Sequence, residues 1–143
     1  MARSGVLVLL ALACALTTAA RASSPAGSGI VVRGPGGSYS LWVLSKQRGI
    51  NDVNLGLPAG TSIQLLGGGN GCSVHGSTVF CYPHRVPAGR PTGVFRFAAK
   101  PRITQATKLV LMIAGPKATG PPVPVAYLSR AANVETALVA LSP

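Results

Sequence analysis

Short apolar runs separated by glycine and proline recur along most of this chain. Its 143 residues include 18 glycines and 12 prolines, residue types that interrupt helices and mark turns. No segment after the N-terminal region sustains the 3.6-residue apolar period of an amphipathic helix. Several segments instead alternate every second residue, so that Tyr39, Leu41 and Val43 share one strand face. This pattern predicts an all-β fold.

Eight or nine short strands in a chain of this length favour a single two-sheet sandwich. Pro122 and Pro124 cannot donate hydrogen bonds to a strand ladder, so segment 123–128 should lie at a sheet edge. Segment 130–141 fits either a strand or a helix, and the pattern leaves that choice open. The predicted strands are Ile30–Arg33, Ser38–Leu44, Thr61–Leu66, Cys72–Val74, Thr78–Tyr82, Gly93–Ala98, Thr107–Ala114, Val123–Leu128 and Thr136–Leu141.

The N-terminus has the anatomy of a secretory signal. Arg3 precedes an apolar run from Gly5 to Leu16 that is too short for an ordinary membrane-spanning helix. Ala20-Arg21-Ala22 then has the small-x-small form of a cleavage site. We therefore expect residues 1–22 to be a signal peptide that is removed on export.

The remaining chain is expected to be a flexible leader, 23–29, followed by one β-sandwich domain, 30–143. No later segment reaches the roughly 20 apolar residues of a membrane span. A lipid anchor at Cys14 is disfavoured, because Ala11 stands where such signals usually place leucine. We expect a secreted or cell-surface protein that does not span the membrane.

The charge balance is strongly basic. Thirteen lysines and arginines stand against two acids, which gives a formal net charge of +11. The basic residues are scattered along the chain and do not form one continuous block, which indicates a folded domain with a positive surface. Segment 83–102 gathers several cations with no acid among them, and it is the candidate polyanion-binding patch. Its basic residues are Arg85, Arg90, Arg96, Lys100 and Arg102.

The partner predicted from this charge is an anionic polysaccharide or another polyanion, with other extracellular proteins as further partners. No specific nucleic-acid binding is expected. A plain solvated basic face is the alternative interpretation of the same residues.

Two cysteines, Cys72 and Cys81, flank a predicted turn in the stretch GCSVHGSTVFCY. If Gly76-Ser77 is a two-residue type II′ turn, Cys72 falls opposite Cys81 in a non-hydrogen-bonded pair. The Cα atoms of such a pair lie about 4.5 Å apart, within disulfide range. The same register turns His75 to the opposite face. An exported hairpin with this spacing predicts a Cys72–Cys81 disulfide.

Catalytic and metal-binding patterns are not evident. Asp52 and Glu135 stand far apart in sequence, and there is no G-x-S-x-G elbow or zinc-type cysteine spacing. We expect no catalytic residues, no metal and no cofactor. Two other hypotheses stay open: a small secreted hydrolase, in which His75 or His84 meets one of the acids, and a cationic membrane-active protein.

The aromatic residues alternate within strands and are expected to fill the core rather than form a base-stacking platform. Trp42 lies on the strand face opposite Leu41 and Val43. We favour a core position for Trp42, with exposure to a ligand as the alternative. The aromatic set is Tyr39, Trp42, Phe80, Tyr82, Phe95, Phe97 and Tyr127.

Residues 57–101 combine four short motifs in a fixed order. They are an L-P-A-G turn, a C…G-x-x-V-x-C hairpin, an A-G linker and an alternating strand, here Leu57–Gly60, Cys72 to Cys81 with Gly76 and Val79, Ala88-Gly89, and Val94–Phe97. This order resembles the conserved-repeat, immunoglobulin-like domain of bacterial surface and secreted proteins, a family related in architecture to bacterial cell-adhesion modules. The resemblance implies a non-catalytic immunoglobulin-like sandwich used for adhesion, display or spacing, and it transfers no active-site residues.

Overall fold

A computed structural model describes residues 26–46, 50–68, 71–114 and 121–141. The predicted signal peptide and Cys14 lie outside these residues. Besides a short 3₁₀ turn at Pro35–Gly37, the described residues form nine strands and one α-helix. They are β1 (Gly27–Arg33), β2 (Ser38–Ser45), β3 (Ile50–Gly56), β4 (Ser62–Gly67), β5 (Cys72–His75), β6 (Thr78–Arg85), β7 (Thr92–Lys100), β8 (Val110–Ala114), β9 (Val125–Leu128) and α1 (Val134–Leu141).

The strands form two packed sheets, which confirms the predicted all-β class. The first sheet, sheet A, has five strands in the order β4-β7-β2-β1-β9, and the second, sheet B, has four in the order β5-β6-β3-β8. Neighbouring strands are antiparallel except for β1 and β9, which are parallel. Strand β9 lies at the edge of sheet A, as Pro122 and Pro124 just before it predicted.

The main core lies between the two sheets. The side chains of Tyr39, Leu41 and Val43 are buried there from β2, as their alternation predicted. Tyr39 packs against Phe97 with ring centroids 5.6 Å apart, and Phe97 packs against Phe95 at 5.4 Å. Strands β3 and β8 of sheet B supply the opposing aliphatic layer.

A β-bulge interrupts the pairing of β2 with β7. Leu41 pairs with Phe95 while Trp42 pairs with Gly93, so Val94 is the extra residue on β7. Both Val94 and Phe95 are buried as a result. Beyond the bulge the strand regains its alternation, with Arg96 exposed and Phe97 buried.

The cysteine hairpin adopts the predicted register. Cys72 pairs with Cys81, and His75 pairs with Thr78. Gly76 has φ +60°, the left-handed value that the first turn position of a type II′ turn requires. The disulfide forms across a Cα–Cα distance of 4.0 Å. Cys81 is fully buried, and His75 is exposed on the other face.

Strand β3 was not predicted, although it lies in the middle of sheet B between β6 and β8. Its polar residues Asn51, Asp52 and Asn54 belong to types that are depleted in strands. Its apolar residues Val53 and Leu55 nevertheless alternate, and both are fully buried. Burial against both neighbouring strands therefore outweighs the low intrinsic strand preference of this segment.

The C-terminal segment forms the helix α1 rather than a strand. It packs on the outer face of sheet A, where Leu138 is fully buried in a second cluster with Ile30 and Leu44. The hydroxyl of Ser28 donates a 2.9 Å hydrogen bond to the carbonyl oxygen of Leu138. Strand β1 begins at Gly27, three residues before the predicted start, so residues 27–29 of the expected leader belong to the sheet.

Removal of the disulfide should destabilise the fold. We expect the double variant Cys72→Ala/Cys81→Ala to lose about 2.5–3 kcal/mol of unfolding free energy, because the unfolded chain regains the entropy of the 72–81 loop. Urea denaturation monitored by circular dichroism measures the loss. The reductant-treated wild type should lose a similar amount, whereas added reductant should leave the double variant unchanged. Equal stability of the oxidised and reduced wild type would contradict this expectation.

Tyr39 should stabilise the fold through its hydroxyl as well as its ring. The backbone N–H of Ile103 donates a 3.0 Å hydrogen bond to the hydroxyl oxygen of Tyr39 in a buried position. Tyr39→Phe keeps the ring but leaves that N–H without its acceptor, which should cost about 1–3 kcal/mol. Tyr82→Phe is the matched control, because Tyr82 is 47% exposed, and it should change stability by less than about 0.5 kcal/mol. Equal urea midpoints for the two variants would contradict the role of this bond.

Candidate functional site

Three cations line one recess at an end of sheet A. Arg33 ends β1, Lys100 ends β7, and Arg102 follows two residues later; all three are exposed. They border a cavity of about 400 Å³ that also touches the Gly36-Gly37 turn and Tyr39. Among the residues that the structure describes, no carboxylate lines this cavity. We call Arg33, Lys100 and Arg102 with this cavity the basic recess.

Strand pairing explains why residues so distant in sequence meet at the basic recess. Arg33 pairs with Tyr39, and Tyr39 pairs with Phe97, so the ends of β1 and β7 lie on either side of the start of β2. The hydrogen bond from Ile103 N–H to the Tyr39 hydroxyl then holds the segment after β7 against the same end. Arg102, which precedes Ile103, is positioned by this contact.

The predicted basic patch is divided by the structure. Arg96 and Lys100 lie four residues apart on the outward face of β7. Arg90 precedes the start of β7, whereas Lys100 is its last residue. The first and last residues of β7 are about 26 Å apart along the strand. Arg85 ends β6 near that same far end, because the chain just beyond it bridges from Ala88 to Ser45 at the end of β2. The side chain of Arg85 lies outside the described residues.

Arg33 was missed by the sequence argument because it lies 50 or more residues before the predicted patch. A local signal existed: Arg33 ends an apolar run just before a Gly-Pro-Gly-Gly turn, so it had to lie at a sheet end. Which other cation shares that end depends on the order of strands in the sheet. Sequence spacing does not supply that order.

The acids lie away from the basic recess. Asp52 is half-buried on β3 of sheet B, opposite Ala114. Glu135 lies in the first turn of α1 and borders a different cavity, beside Trp42. Neither of these acids therefore neutralises the positive charge of the three cations in the recess.

His75 is separated from both acids. It lies beside Ser73 and Phe80, with a 3.1 Å contact between Nε2 and the Ser73 hydroxyl and an edge contact to the Phe80 ring. His75 pairs with Thr78, which pairs with Gly56 on β3, two strands away from His75. Asp52 lies four residues before Gly56, which is roughly 13 Å along the strand direction alone. Glu135 belongs to the helix on the other sheet. The side chain of His84 is not among those described. Across the described ranges, no three His, Cys, Asp or Glu side chains group as metal ligands.

Two predicted core aromatics instead face outward on sheet B. Phe80 and Tyr82 alternate with the buried Val79 and Cys81 on β6, and their rings stack with centroids 5.8 Å apart. Phe80 is half-buried and Tyr82 exposed. The hairpin register sends both to this face, because buried Cys81 lies between them.

Trp42 lies on the outer face of sheet A rather than between the sheets. It is half-buried, packs against the cluster under α1, and pairs across the sheet with Gly93. It also borders two cavities, one toward β7 and one toward α1. The favoured core position is therefore only partly correct, because part of the indole faces open space.

The structure defines an all-β protein of two packed sheets with a basic recess at one end of the larger sheet. No protein-family model, curated protein or solved structure gives a significant match to this chain. In the part of the chain that the structure describes, no helix is long and apolar enough to cross a membrane.

Proposed function

We propose that this protein is an exported, non-catalytic binding module of immunoglobulin-like architecture that holds anionic polymers at its basic recess. The convergence of Arg33, Lys100 and Arg102 on one cavity without a carboxylate is the observation that carries the proposal. Cell-wall or extracellular polysaccharides that bear acidic groups are the polymers that fit an exported module.

The physical argument rests on several weak contacts that act together. An exposed ion pair contributes little alone, since water and salt screen it. A polymer that bears a charge on each repeat places several charges in the recess with a single loss of translational freedom, so the weak contacts add. The excess of cations also raises the rate of encounter with a polyanion; it is +11 over the whole chain and +9 once Arg3 and Arg21 leave with the signal peptide.

Two further observations support the exported setting. The N-terminus carries the residue pattern of a secretory signal. The disulfide between Cys72 and Cys81 belongs to compartments in which thiols stay oxidised. The two-sheet packing agrees with the immunoglobulin-like resemblance of residues 57–101, which implies adhesion or display.

Salt-dependent binding tests this proposal. Inorganic polyphosphate and a polyuronate should both bind at 50 mM salt, and binding should weaken steeply toward 1 M, where the screening length falls to about 3 Å. Isothermal titration calorimetry measures both affinities. If neither polymer binds at low salt, the proposed function is overturned.

Matched charge variants locate the site. Arg33→Gln and Arg102→Gln should each weaken polyphosphate binding about two- to fivefold, the usual effect of one exposed ion pair. Arg90→Gln removes the same charge from an equally exposed position at the far end of β7, and we expect it to change the affinity less than about twofold. If all three variants weaken binding equally, net charge rather than the recess is responsible.

A further inference from the structure

Trp42 is the only tryptophan in the chain, and it has an unusual position for so large an apolar side chain. It lies on the outer face of sheet A, at the point where the bulge on β7 brings Gly93 opposite to it. Part of the indole packs under α1. The rest borders a cavity of about 240 Å³ on the β7 side.

Glycines keep this cavity open. Gly67 and Gly68 form the far wall where β4 ends, and Gly93 lies next to the indole. A Cβ atom at Gly93 would lie 3.6 Å from two carbons of the six-membered ring of Trp42, and one at Gly67 would meet nothing within 4 Å. Because these positions carry no side chains, part of the flat indole surface of Trp42 stays accessible from this cavity.

Polar groups at the same cavity are arranged on one side of the indole. Arg96 and Ser40 are cross-strand partners on the outward face, and both border the cavity. Arg96 is exposed, and among the described residues no carboxylate borders the cavity. A guanidinium binds a carboxylate through two parallel hydrogen bonds.

We propose that Trp42 and Arg96 form a subsite for one uronic acid ring of a polysaccharide, an inference that rests on the proposed function and names its polymer class. The apolar C–H face of a pyranose ring packs on the flat indole, which removes apolar surface from water. The ring carboxylate pairs with Arg96, and Ser40 offers a hydroxyl to the sugar. The cavity is smaller than the 300–1,000 Å³ typical of pockets for drug-sized ligands, as suits a single ring.

A chain of sugars can continue from this subsite toward the basic recess. Lys100 lies on the same face of β7 as Arg96, roughly 13 Å further along the strand. Between them a cavity of about 140 Å³ is lined by Ser62, Gln64 and Lys100 together with two alanines of β7. Hydroxyl and amide groups of this kind bind sugar hydroxyls, and the polar side chains of β4 lie beside β7 between Arg96 and Lys100.

A saccharide fits this face better than a single-stranded nucleic acid. Proteins that bind single strands stack successive bases on several aromatic side chains. Among the described residues of the outer face of sheet A, Trp42 is the only aromatic side chain, since Tyr39, Phe95 and Phe97 are turned into the core. One flat ring surface followed by polar groups matches a polymer whose other repeats bind through hydroxyls and charge.

Tryptophan fluorescence tests the subsite, because the emission comes from Trp42 alone. The probes are an oligomer of galacturonic acid, a neutral glucose oligomer of equal length, and inorganic tripolyphosphate. The oligouronate should change the emission and protect Trp42 from acrylamide quenching. Tripolyphosphate should bind without protecting it, and the neutral oligomer should bind at least about tenfold more weakly than the oligouronate, because it lacks the partner of Arg96.

Two variants separate ring packing from charge. Gly93→Ala places a methyl group on the indole and should weaken oligouronate binding about fourfold or more, since it displaces at least one methylene-sized contact. Arg96→Gln should weaken it about tenfold. Gly56→Ala makes the same glycine change in β3 with similar room, 3.7 Å to the nearest atom, and should leave the affinity unchanged. Tripolyphosphate affinity should not respond to Gly93→Ala.

The outcomes distinguish this subsite from the proposed function. If oligouronate and tripolyphosphate both bind but Trp42 emission and the Gly93→Ala variant show no effect, the subsite is overturned while polyanion binding stands. Equal binding of the neutral oligomer and the oligouronate overturns the acidic specificity. If neither anion binds at low salt, the proposed function itself fails.

Discussion

The pairing of β2 with β7 determines most of what this protein presents to solvent. Tyr39 and Leu41 pair with Phe97 and Phe95, and these side chains fill the space between the sheets. Because side chains alternate along a strand, Arg96 must then point outward. A one-residue slip of this register would bury a guanidinium and expose the phenyl rings. The register that is favoured because it buries the phenyl rings therefore also places Arg96 on the outer face.

The bulge in that pairing gives the outer face its shape. It admits Val94 to the core as an extra residue and leaves Gly93, which has no side chain, opposite Trp42. Bulges bend and twist a strand locally and re-aim its side chains. The same irregularity that improves core filling thus opens space beside the indole. At the other end of β7, the Tyr39 hydroxyl holds the segment that carries Arg102, so one strand connects the two candidate binding features.

Local patterns could be predicted, whereas polar central strands could not. The β5–β6 hairpin followed from a two-residue turn, because pairing outward from Gly76 needs no information from elsewhere in the chain. Strand β3 was missed because Asn51, Asp52 and Asn54 suggest a loop, and only its two sheet neighbours make it a strand. Segment 130–141 became a helix because the outer face of β1 and β2 offered Ile30 and Leu44 as a surface for Leu138.

The sequence by itself determined the all-β class, the opposed cysteines, the cation excess and the shared core face of Tyr39, Leu41 and Val43 on β2. Each of these follows from composition or from a period of two, which a strand imposes wherever it lies. Only the tertiary structure decided that Arg33 lines the same cavity as Lys100 and Arg102, and that Trp42 lines the same cavity as Arg96. These placements depend on which strands are neighbours in a sheet, and alternation within one strand carries no information about its partner.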